Sequence, residues 1–70
     1  MLLSIVVPVY NEEENIANFY KAVTDVMSGL TYDYELIFVD DGSSDSSAMI
    51  LREIAYNDKH VKVLLLARNF

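Results

Sequence analysis

Asp40 and Asp41 stand side by side at the end of an apolar run, Leu36-Ile37-Phe38-Val39, and open into Gly42-Ser43-Ser44-Asp45. Carboxylates at the edge of a core are costly unless hydrogen-bond donors, a cation or a ligand meet them. A carboxylate in that place can accept from the imide or amide N–H of uracil or guanine, a pairing of complementary edges. One of the two can instead take backbone donors inside its own turn, in an Asx arrangement. Two in a row at a buried strand end tilt the reading towards ligand binding. Asp45 and the serines Ser43, Ser44, Ser46 and Ser47 suit the chemistry of a helix start.

A second segment echoes the first. Ser4-Ile5-Val6-Val7-Pro8-Val9 ends in Tyr10-Asn11-Glu12-Glu13-Glu14, and open α/β sheets bind ligands at the C-terminal ends of their strands. The Tyr10 ring can stack on a nucleobase or pack against a helix, and residue type alone leaves both open. Asn11 reads as a helix N-cap, with Glu14 completing a capping box. Glutamates at that helix start suit the positive end of its dipole.

Several chemistries are excluded. The chain has two glycines, Gly29 and Gly42, so neither a G-x-G-x-x-G nor a Walker A loop follows the first strand. With one histidine and no cysteine, neither a Ser/His/Asp set nor a metal site can be assembled, and His60 is given no role. A net charge of −6 argues against nucleic acid as a partner. Six of the eleven acids fall in two clusters, Glu12 to Glu14 and Asp40, Asp41, Asp45, which suggests a local site. The apolar stretch from Met1 to Val9 is too short to span a membrane, and a soluble chain is expected.

These groups need elements to position them. Leu3 to Val9 reads as a parallel strand buried on both faces, with Pro8 tolerable only where no ladder donor is required. Ile16, Phe19, Tyr20, Val23, Met27 and Leu30 form one stripe of an amphipathic helix, and Gly29 marks its end. Thr31 to Asp33 make a loop and Tyr34 to Val39 a second strand. A second helix, capped by Ser43 or Ser44, runs to about Asn57 with Ala48, Leu51 and Ala55 on one face. Val61 to Ala67 gives a third strand. This alternation implies right-handed crossovers and a parallel sheet in the order 3-2-1. The first strand then has a long apolar edge without a partner, which finished sheets avoid. The expectation is the front part of a longer domain, self-associating through that edge.

The two motifs, Ser4 to Ile16 and Glu35 to Asp45, resemble at their spacing the opening of a family 2 glycosyltransferase with the GT-A fold, over essentially all seventy residues. The ending Leu65-Leu66-Ala67-Arg68-Asn69-Phe70 is similar to bacterial polyprenyl-phosphate (bactoprenol) glucosyltransferases, relatives of dolichol-phosphate mannose synthases. The resemblance implies an incomplete α/β unit, the Rossmann-like βαβαβ half of a GT-A fold. It implies a nucleotide-diphosphate sugar as donor and, for the full-length protein, a lipid phosphate as acceptor at the cytoplasmic face of a membrane. By the same resemblance Pro8, Tyr10 and Glu12 surround the nucleoside, Asp41 meets the base N–H, and Asp40 and Ser43 support that pocket.

The family also implies a divalent cation, Mg or Mn, held by a D-x-D motif beyond the third strand. Asp40-Asp41 is not that motif, and neither it nor the catalytic carboxylate is expected within these seventy residues. The chain is therefore expected to be the nucleotide-sugar-binding portion, inactive alone, of an enzyme moving glucose from UDP-glucose to a polyprenyl phosphate. The alternatives are a GDP-mannose-dependent lipid-phosphate mannosyltransferase, a member with a saccharide acceptor and, in another class, a non-catalytic nucleotide-binding or assembly module.

Overall fold

The chain alternates strand and helix in the computed structural model, which describes residues 2–31 and 33–66. The elements are β1 (Leu2–Val9), α1 (Ile16–Met27), β2 (Asp33–Asp40), α2 (Ser47–Asn57) and β3 (Val61–Leu65). Ala67, expected to end the third strand, lies outside the described residues, as does Tyr32 of the expected loop. The strands are parallel in the order β1-β2-β3, the expected arrangement. Val9 lies opposite Asp40, and Asp40 opposite Leu65. The three strands thus end level, and the polar segments after β1 and β2 emerge side by side.

Side chains alternate across a strand, and β2 shows it: Leu36, Phe38 and Asp40 are buried, while Ile37 and Val39 are half-buried. The buried set faces the helices. Ile16 of α1 and Leu51 of α2 join Val9, Leu36, Phe38 and Val61 in one core, with Tyr20, Val23, Ile50, Ile54 and Ala55 packed around it. Phe19 meets Phe38 edge-on, with ring centroids 6.3 Å apart.

The expectation that β1 is buried on both faces does not hold. Two crossovers of the same sense put both helices on one face of a 3-2-1 sheet. On the other face Val6 is 62% exposed and Leu64 55% exposed. A polar row crosses that open face at one end. The Ser4 hydroxyl donates to Glu35 Oε1 at 2.6 Å, and Lys62 Nζ lies 3.0 Å from Glu35 Oε2. The Ser4 hydrogen bond, then the Lys62 contact, hold the Glu35 carboxyl below its ordinary range.

Pro8 fits its strand for a reason the backbone supplies. The Asp41 amide donates to the Val9 carbonyl at 2.9 Å, so the Val9 peptide group turns towards β2. Successive residues turn opposite ways. Pro8 therefore faces the edge of β1 away from β2, where its missing N–H costs the β1–β2 ladder nothing.

Neither helix starts where its capping residues predict. Helix α1 begins at Ile16 with Asn15 as N-cap, not at Asn11 with Glu14 in a capping box. Helix α2 begins at Ser47 with Ser46 as N-cap, not at Ser43 or Ser44. Neither N-cap residue makes a side-chain cap bond. The predicted capping groups are occupied between the two turns instead. The end of α1 agrees with expectation: Ser28 is its C-cap, and Gly29 follows.

The opposite end of the sheet is closed by a separate polar set. The Tyr20 hydroxyl donates to Asp58 Oδ2 at 2.5 Å, and Asp58 Oδ1 accepts the His60 amide at 2.9 Å. The His60 ring stacks on Tyr34, centroids 4.3 Å apart, with its Nδ1 3.0 Å from the Tyr34 carbonyl oxygen. The bond to Asp58, followed by burial, pushes the Tyr20 hydroxyl up to about 12. Burial pulls Asp58 the other way, but the Tyr20 hydroxyl and the His60 amide outweigh it and leave Asp58 below its usual range. His60 thus serves to lock the turn into β3.

Candidate nucleotide-binding site

The segments after β1 and β2 are laced together by hydrogen bonds that run in both directions. From the first turn, the Asn11 amide donates to Ser43 Oγ at 2.9 Å. The Glu12 amide donates to Ser47 Oγ at 3.0 Å, and the Glu13 amide to Asp45 Oδ2 at 3.3 Å. From the second turn, the Ser44 amide donates to Asn11 Oδ1 at 2.9 Å, and the Ser46 amide to Glu13 Oε2 at 3.1 Å. Each turn therefore satisfies the other's backbone donors.

Two residues bend the chain into this register. Asn11 has φ 50 and Gly42 has φ 77, both in the left-handed region. Glycine enters it without a Cβ clash. Asparagine is one of the few other residues enriched there.

Asp40 lies at the centre. It is 2% exposed, and its Oδ1 accepts the Ser43 amide at 2.8 Å, the in-turn arrangement that the sequence allowed. Its Oδ2 is buried and has no hydrogen-bond partner among the described residues. An unsatisfied buried acceptor is expensive, so this oxygen is a place for a donor. Asp41 is exposed beside it.

The other expected residues lie around the same strand ends. Tyr10 is 46% exposed, so its ring is not core. Pro8 and Glu12 share a cleft of about 160 Å³ with Val7, Val9, Asn15, Ile16, Phe19 and Phe38. That cleft opens along β1 and the start of α1, and its wall is mostly apolar. Glu12 Oε2 accepts the Asn15 carboxamide at 3.1 Å. The structure thus brings Asp40 and Ser43 into contact and places Pro8 and Glu12 on one cleft.

Sequence reasoning placed Ser47 at a helix start but missed its full burial, and it missed the partners of Asn11 and Glu13. A signal existed for the burial of Ser47: it is four residues before Leu51, on the buried face of α2. No local pattern marked the partners of Asn11 or Glu13, because they are 32 to 33 residues away. Asp45 meets its expectation, since its Oδ1 accepts the Ser47 amide at 2.9 Å at the start of α2. The Ser47 hydroxyl and the Ser47 and Glu13 amides overcome the opposing effect of burial and hold the Asp45 carboxyl below its ordinary range. Glu12, Glu13, Glu14 and Asp41 are exposed and give the strand ends an acidic rim.

Among the described residues, no group of three or more histidine or acidic side chains is placed to hold a metal ion. The acids of the rim do not fit the divalent cation that the resemblance implies. The arrangement offers hydrogen-bond acceptors and an exposed aromatic ring.

Comparison with known proteins agrees with this geometry. Residues 4–70 match the family described as Glycosyl transferase family 2. The chain belongs to that family. Its three-stranded parallel sheet with two helices is accordingly part of a Rossmann-like GT-A domain. This family 2 chain is 51% identical over 67 residues to "Uncharacterized glycosyltransferase YkcC" of Bacillus subtilis (strain 168), covering 96% of the chain and 21% of the relative. It is 46% identical over 69 residues to "Undecaprenyl-phosphate 4-deoxy-4-formamido-L-arabinose transferase" of Proteus mirabilis (strain HI4320), covering 97% and 21%. Against "Prophage bactoprenol glucosyl transferase homolog" of Escherichia coli (strain K12) it is 43% identical over 70 residues, covering 100% and 23%. The chain thus spans between a fifth and a quarter of the length of these relatives. No helix among the described residues is long and apolar enough to cross a membrane.

Proposed function

We propose that this chain is the nucleotide-sugar-binding portion of a glycosyltransferase that moves glucose from UDP-glucose to a polyprenyl phosphate. The observation that carries the donor half is Asp40: a buried carboxylate with one oxygen pinned by Ser43 and the other without a donor among the described residues, where two strand-end turns meet. The acceptor half is supported by the printed names of relatives, which specify bactoprenol and undecaprenyl phosphate. In this reading Asp41 accepts the base N–H and Tyr10 covers the base. Pro8 and Glu12 flank the nucleoside, while Asp40 and Ser43 support the pocket.

A divalent cation, Mg or Mn, would neutralise the leaving diphosphate in the complete enzyme, with its ligands supplied by residues outside this chain. The lipid acceptor places the reaction at the cytoplasmic face of a membrane. Alone, the seventy residues bind without transferring, and they pair with a second copy through the free edge of β1.

The test is calorimetric titration with UDP, UDP-glucose and GDP, for the chain and for Asp41→Ala. Uridine-selective binding that the variant loses supports the reading. Preference for GDP turns it towards mannose chemistry. Binding that Asp41→Ala leaves intact removes Asp41 from the site, and absence of all binding overturns the chain as a self-sufficient nucleotide module.

A further inference from the structure

We infer that Asn11 is a positioning residue: it sets the second turn through Ser43 and Ser44, and through them the Asp40 carboxylate. The ligand part of this inference rests on the nucleotide reading above.

Asn11 grips the second turn through both backbone and side chain, as Glu13 does, and it alone of the two engages the serines next to the Asp40 bond. Its amide donates to Ser43 Oγ at 2.9 Å, and its Oδ1 accepts the Ser44 amide at 2.9 Å, with the Ser44 hydroxyl 3.4 Å away. Directly before those two contacts, the Ser43 amide donates to Asp40 Oδ1 at 2.8 Å. Fixing the Ser43 side chain and the next amide restrains the Ser43 amide, and hence which carboxylate oxygen is engaged. The engaged oxygen is Oδ1. Oδ2 is left buried and without a partner among the described residues.

The identity of residue 11 follows from two independent demands. Its φ of 50 disfavours residues other than glycine, asparagine and aspartate. Its Oδ1 must be an acceptor one carbon beyond Cβ, which glycine lacks. Asparagine and aspartate alone meet both demands. The residue is exposed and contributes nothing to the core, so packing does not explain it.

The inference separates by variant. Asn11→Gly keeps the backbone conformation and the donation to Ser43 but loses the acceptor for Ser44. Asn11→Asp keeps both. Amide hydrogen exchange in the free chain is the primary readout, because it needs no ligand. In Asn11→Gly, exchange at Ser43 and Ser44 should accelerate about tenfold or more, while amides of β2 and α2 keep their protection. Asn11→Asp should restore the wild-type pattern at Ser43 and Ser44. UDP affinity measured on the same proteins should fall about tenfold in Asn11→Gly, the scale of one lost hydrogen bond, and recover in Asn11→Asp.

Unchanged exchange at Ser43 and Ser44 in Asn11→Gly overturns the inference. Uniformly faster exchange across the sheet overturns it too, by showing a role in stability alone. Local acceleration with undiminished UDP affinity overturns the link to the ligand. A wild-type chain that binds no nucleotide counts against the function proposed above, and the exchange pattern then decides the positioning role separately.

Discussion

The Glu13 carboxylate serves the helix it does not precede: its Oε2 accepts the Ser46 amide at 3.1 Å, at the N-cap of α2. The Glu13 amide in turn donates to Asp45 Oδ2. The acid that sequence places at the start of α1 thus stabilises the positive end of its neighbour, where a carboxylate is favourable. Glu13→Ala should lower stability by about 0.5–1 kcal/mol, the scale of a lost cap, and Glu13→Gln should restore most of it. Urea unfolding midpoints of the three proteins check this, and equal midpoints for alanine and wild type would refute it.

Asp40 sets binding against stability. Its buried Oδ2 lacks a donor among the described residues, so removing the charge removes a desolvation cost. Asp40→Asn keeps an acceptor for the Ser43 amide. It should raise stability by about 1 kcal/mol while weakening UDP binding. Thermal unfolding and calorimetry on the same sample test both halves, and a destabilised Asp40→Asn would mean that the charge itself is needed to hold the turn.

Tyr20 and Asp58 bracket the pH range of the fold. The Tyr20 hydroxyl is pushed up to about 12, above the ordinary tyrosine value near 10. A group raised in the folded state stabilises fully below its unfolded value and loses that contribution as pH climbs through its folded one. Stability should therefore decline between roughly pH 10 and 12. Tyrosinate absorbance should show a late component from Tyr20, and Tyr20→Phe should remove it. Asp58 is depressed, so its contribution holds above the ordinary carboxylate value near 4 and fades as pH falls through its folded value. In Asp58→Asn the acid limb of the stability curve should flatten.

Among the described residues strand β1 has an unpaired edge, and its side chains carry no charge. Antiparallel pairing with a second β1 would put the two acidic rims at opposite ends of the pair, whereas parallel pairing would crowd them. Sedimentation should therefore show a twofold dimer. Val6→Lys, a charge at the edge strand, should yield monomers. A wild-type chain that stays monomeric at high concentration would count against this pairing.

Much of the fold was legible because α1 and α2 carry their apolar stripes and β2 ends in a polar segment. The burial of β1 was not. Val6 and Leu64 are apolar although they lie on the open face, so the two-residue alternation that marks a one-sided sheet is hidden. Residues of the site were legible as types at strand ends, and the in-turn bond from the Ser43 amide to Asp40 is one of the alternatives the sequence left open. Their neighbours were not, because capping rules look three residues ahead. Asn11 and Glu14 satisfy such a rule locally, yet the Ser44 amide offers Asn11 a tertiary bond that the local pattern does not contain.

The acidic rim has a consequence for how ionic strength acts on this molecule. Proteins that hold phosphates with lysine and arginine lose affinity as salt is added. Here the strand ends present Glu12, Glu13, Glu14 and Asp41 to solvent, and a diphosphate arriving there meets its own sign of charge. At about 0.1 M salt the Debye length is about 10 Å, short enough to mute much of that repulsion. Salt should therefore tighten the binding of UDP and leave uridine almost indifferent, making the chain a better discriminator of nucleosides in dilute buffer and of nucleotides in a crowded electrolyte.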